Sequence, residues 1–70
     1  MSDTMQRIQK LRNGRGWYVC YPTTGIGDVY AYQPRLGTVV FRTRSDAENL
    51  NLACDFCERQ NKIAKRNVWK

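Results

Sequence analysis

The chain has no histidine, only two prolines and three cysteines among its 70 residues, and each scarcity closes off a class of chemistry. Without an imidazole it lacks the side chain that most often does acid–base work near neutral pH. The carboxylates Asp46, Glu48, Asp55 and Glu58 fall in one segment, where helix capping and solvation account for them. Gly14, Gly16, Gly25 and Gly27 form no phosphate cradle, because none stands between a strand and a following helix. This inventory predicts a protein that is not an enzyme. An odd number of cysteines suits a reducing compartment better than a disulfide scaffold. Cys54-Asp55-Phe56-Cys57 has the spacing of zinc knuckles and thiol redox sites, but only Cys20 remains to help complete a metal site, and structural zinc wants four ligands. The pair also lies about two to three turns inside a helix, away from the terminus that would activate a thiol. Both cysteines are therefore expected to be small core residues, with no metal and no cofactor, a zinc shared between two chains being the alternative.

No apolar run reaches the roughly 18 residues a membrane span requires, and the opening MSDTMQRIQK has no apolar signal core. A cytoplasmic protein with no membrane partner is expected. With a hydrophobic fraction of 41%, the chain can fold as one domain over residues 1–70, near the size below which a core needs help from a disulfide, a metal or a partner.

The net charge is +6 and the pI near 9.7, unevenly spread. Residues 1–16 are basic through Arg7, Lys10, Arg12 and Arg15, residues 17–44 through Arg35, Arg42 and Arg44, and the end through Lys62, Lys65, Arg66 and Lys70, whereas residues 45–60 are acidic. Such a balance attracts nucleic acid, an anionic membrane surface or an acidic protein.

Three short runs, WYVCY, DVYAY and TVVFRTR, are separated by Thr24-Gly25 and by Pro34-Arg35-Leu36-Gly37. Gly- and Pro-bounded runs rich in β-branched and aromatic residues predict a three-stranded antiparallel meander. Alternation puts Trp17, Val19, Val29, Ala31, Val39 and Phe41 on one face, and Tyr18, Cys20, Tyr30, Tyr32, Val40, Arg42 and Arg44 on the other. Ser45 followed by Glu48 opens a principal helix with a capping box. On it Ala47, Leu50, Ala53, Cys54 and Cys57 should cover the sheet, while Leu52, Phe56 and Ile63 form a second stripe. That stripe needs another cover: the short helix of residues 1–13, carrying Met5, Ile8 and Leu11, or a second copy of the chain. The short helix either packs on the body or frays. The predicted fold is thus α+β, with a sheet-plus-helix core at 14–60 and a basic tail at 61–70.

This order of elements resembles two nucleic-acid modules. It departs from the double-stranded RNA-binding domain, whose second helix opens with lysines, since here that helix opens with Ser45, Asp46, Ala47 and Glu48. It is closer to the arm-type DNA-binding domain of phage integrases, a three-stranded sheet backed by a helix. The resemblance lies in Gly16-Trp17-Tyr18-Val19-Cys20-Tyr21 running to a Thr-Gly turn, two further strands, and Thr43-Arg44-Ser45-Asp46-Ala47-Glu48 opening the helix. It implies that Tyr30, Tyr32, Arg42 and Arg44 face DNA.

The functional expectation is a small binding protein for nucleic acid, duplex DNA first. Tyr30, Tyr32, Arg42 and Arg44 would lie on the sheet, Arg15 and Arg35 in flanking loops, and Lys62, Lys65 and Arg66 would reach phosphates from the tail. The alternative is an accessory protein of the kind phages and mobile elements encode, which binds and inhibits a host protein through the same face or through Leu52, Phe56 and Ile63.

Overall fold

A computed structural model describes residues 3–14, 16–22 and 27–67, the last four by their backbone alone. Helix α1 spans Asp3–Arg12, strands β1, β2 and β3 span Tyr18–Cys20, Val29–Gln33 and Gly37–Phe41, and helix α2 spans Asp46–Asn67. The strands form one antiparallel sheet in the order β1-β2-β3, as the runs and turns predicted.

The hairpin between β2 and β3 follows from local chemistry. Pro34 supplies the restricted φ that a turn wants after its first residue, and the Leu36 N–H donates to the Gln33 carbonyl at 3.0 Å. Gly37 then returns the chain at φ +110°, a backbone that L side chains rarely adopt. Register runs outward from this turn, pairing Gln33 with Gly37, Ala31 with Val39 and Val29 with Phe41.

Period-2 alternation sorts the two faces. Trp17, Val19, Val29 and Ala31 are buried on the inner face, with Val39 and Phe41 half-buried beside them. α2 closes this layer with Ala53, Cys54 and Cys57, all fully buried. Two members of the predicted stripes behave otherwise. Ala47 is exposed in the first turn of α2, so it covers nothing. Phe56 packs inward, edge-on to Trp17 at 5.1 Å and to Phe41 at 5.8 Å between centroids. It stands only about 60° round the helix from Ala53, and a large ring spans that angle.

The N-cap of α2 is half a capping box. The Glu48 N–H donates to Ser45 Oγ at 3.4 Å, while the Ser45 N–H goes to Thr43 Oγ1 at 3.3 Å. Helix α1 docks on α2 mainly through polar groups. Arg7 forks between Asp55 and Glu58, and Thr4 Oγ1 donates to Asn51 Oδ1 at 2.7 Å. Ile8 is buried, Leu11 packs against the core and Met5 is 37% exposed. The short helix therefore does not cover the second stripe of α2, where Leu52 and Ile63 stay exposed.

Asn61 of α2 reaches the start of β1. Its Oδ1 accepts the Trp17 N–H at 2.6 Å and its Nδ2 donates to the Trp17 carbonyl at 3.0 Å. Both backbone groups of Trp17 thus point away from β2, and alternation along an antiparallel ladder assigns the rest. Tyr18 and Cys20 bond to β2. Val29, Ala31 and Gln33 bond to Phe41, Val39 and Gly37. The N–H and C=O groups of Thr38 and Val40 face outward, beyond the sheet.

Candidate nucleic-acid interface

Because α2 packs on the inner face, no described element covers the outer one. Two cross-strand rows occupy it, Tyr18-Tyr32-Thr38 and Cys20-Tyr30-Val40, and Asp28 and Arg42 continue the pattern just beyond them. Tyr18 and Tyr32 meet edge-to-face, with centroids 5.7 Å apart and planes at 79°, a favoured aromatic arrangement. All three phenols are half-buried because they shield one another. Tyr30 is held above the usual tyrosine range, first by its hydrogen bond with the Cys20 thiol and then by the charge of that group. It remains a neutral phenol that can donate and accept.

The face is less basic than the sequence suggested. The Arg42 guanidinium clasps Asp28, with Nη2 to Oδ2 at 2.8 Å and Nε to Oδ1 at 3.1 Å. That hydrogen-bonded fork is the main cause holding Asp28 below the ordinary carboxylate range and Arg42 above its own. Arg42 is therefore not an unengaged cation, a correction that counting could have found, since residues 28 and 42 are equidistant from the centre of the β2–β3 turn. Arg35, in that turn, and Arg44, beyond the far end of β3, are exposed, and neither guanidinium has an ion pair among the described residues.

Of the other expected phosphate ligands, only Lys62 has a described side chain, and it does not join this cluster. Lys62 is exposed on α2, which lies on the opposite side of the sheet. Lys65 and Arg66 continue the same helix with side chains outside the described set, and Arg15 lies outside the described residues altogether. Of the expected partner stripe, Leu52 and Ile63 remain at the surface while Phe56 is consumed by the core.

Burial pushes the Cys57 thiol up to about 12 and raises Cys54 as well, which keeps both protonated and unreactive near neutral pH. Among the described residues no group of three or more His, Cys, Asp or Glu side chains could hold a metal ion, and no helix is long and apolar enough to cross a membrane. Compared with known families, curated proteins and solved structures, the chain matches none.

Proposed function

We propose that this is a non-enzymatic binding protein that engages nucleic acid, duplex DNA first, through the outer face of its sheet. The observation that carries the reading is the surface that no described element covers, which presents Tyr18, Tyr30 and Tyr32, with Arg35 in the turn at one end of β3 and Arg44 beyond the other, neither ion-paired among the described residues. Phenols hydrogen-bond to phosphate and stack on sugar or base, while arginines hold phosphates. The architectural likeness to integrase arm-type domains supports the same face. Lys62, exposed on α2, contributes only long-range attraction from the other side.

A salt titration with a fluorescent duplex tests it. Arg35→Gln and Arg44→Gln should each flatten the log-log salt slope by about 0.9, and Asp28→Asn, by releasing Arg42, should steepen it by a similar step. Absence of binding to duplex or single-stranded nucleic acid at low salt would overturn the reading. One observation favours a second reading: with Arg42 neutralised by Asp28, the centre of the face is phenolic and uncharged, a composition common in protein interfaces. On that reading the protein captures and inhibits another protein through the same tyrosines. Such a contact would show little dependence on salt.

A further inference from the structure

The geometry points to a second copy of this chain as the occupant of the open edge of β3, the two copies forming one six-stranded sheet about a twofold axis through Val39. The inference is independent of what the tyrosine face binds. Three features converge on it.

The first is an unequal treatment of the two sheet edges. At β1 the outward N–H and C=O of Trp17 are taken by Asn61, and those of Val19, which have no hydrogen bond among the described residues, belong to a fully buried residue on the strand that α1 packs against. At β3 the outward groups of Thr38 and Val40 meet nothing in the described residues, and α1 makes no contact with this strand. Unpaired strand edges are templates for another strand and are normally blunted by charge, proline or a covering element. Gly37–Phe41 carries none of these.

The second is charge. Two chains of net charge +6 repel, so a self-contact requires a locally neutral strip. β3 is uncharged, and the cation that follows it, Arg42, is neutralised by Asp28.

The third is self-complementarity. Antiparallel pairing centred on Val39 sets Thr38 against Val40 of the second copy, twice, and so satisfies all the outward groups of those residues with four hydrogen bonds. Gly37 then faces the other copy's Phe41 on the inner side. Beside Gly37 there is open space, with no atom within 4 Å of where a Cβ would stand, so the ring has room, and an aromatic laid over an edge glycine is a favourable pair. On the outer side Leu36, 68% exposed, comes opposite Arg42, and Val40, 46% exposed, is covered. Among the described residues the inner face offers little obstacle, since α2 packs chiefly on β2 and β1 and less on β3. Both tyrosine faces then lie on one side of the joined sheet.

An edge-to-edge contact of this extent belongs to the weak class, so sedimentation equilibrium on the full chain from about 10 μM to 1 mM is the first measurement. The expected result is a rise in mass from 8.2 kDa toward twice that value. Val40→Pro should remove it: the Val40 N–H faces outward, so no hydrogen bond within the chain is lost. Val40→Lys should do the same by placing like charges on the edge. Circular dichroism identifies a variant that has unfolded, and the folded one of the two decides. Register is read by cysteine substitution with the three native cysteines retained. In a non-bonded antiparallel pair the Val39 Cα atoms lie about 4.5 Å apart, within disulfide range. Val39→Cys should cross-link under mild oxidation and Thr38→Cys should not. A monomer at every concentration with uncross-linked Val39→Cys, or a dimer that persists in folded Val40→Pro or Val40→Lys, would overturn the inference.

Discussion

The edge of the sheet at β1 and the edge at β3 are built from strands of similar character and finished in opposite ways. β1 is three residues long, and its entry is stapled by a single amide, Asn61, which replaces a neighbouring strand by accepting from and donating to Trp17. β3 is five residues long, and no described element pairs with its outer edge. Closure of an edge thus need not come from a strand or a cluster of charges. One side chain projected from the covering helix can stand in for a neighbouring strand at one residue of the edge, provided the backbone opposite leaves room for it. Gly16 leaves that room: a Cβ there would sit 1.9 Å from Asn61 Oδ1.

Removing the amide at the β1 edge should be the most damaging change. Asn61→Ala strips partners from two part-buried backbone groups and should cost about 2–3 kcal/mol of unfolding free energy, measured by urea denaturation. Gly16→Ala should cost a similar amount by displacing the same amide. The double variant should cost much less than the sum, because both changes remove one interaction. Additive losses would show that Gly16 and Asn61 are not coupled.

The next effect concerns the layer both edges share. The folded pKa of Cys57, near 12, exceeds the ordinary thiol value of 9.0, so above pH 9 the unfolded chain gives up its proton first. The thiol's contribution is full below about pH 9 and declines as pH rises toward 12. Thermal unfolding followed from pH 7 to 11 should show Tm falling above pH 9, and less steeply in Cys57→Ala; identical slopes would place the alkaline loss elsewhere.

The smallest effect belongs to the open edge. Val40→Ala removes a half-exposed side chain opposite Tyr30 and should change monomer stability by under about 1 kcal/mol. A loss as large as that of Asn61→Ala would mean that β3 is braced by something other than β2 and α2.

Much of this organisation is legible without coordinates. The meander, its inner face and the helix start at Ser45 follow from alternation and turn residues, because those patterns act over a few positions. The site is less legible. Asp28 and Arg42 are 14 residues apart and meet only through hairpin register, and Asn61 and Trp17, 44 apart, meet only when the helix is laid on the sheet. Phe56 fell on the stripe opposite the sheet on a helical wheel because a wheel records angle and not reach.

The order of elements, the partition of apolar from polar positions and the excess of positive charge were determined by the sequence alone, being properties of neighbouring residues and their periods. The quenching of Arg42, the inward turn of Phe56, the separation of Lys62 from the tyrosine face and the sealing of one edge but not the other were decided only by tertiary structure. Each depends on where a distant segment comes to rest, and that position is set by packing the whole core at once.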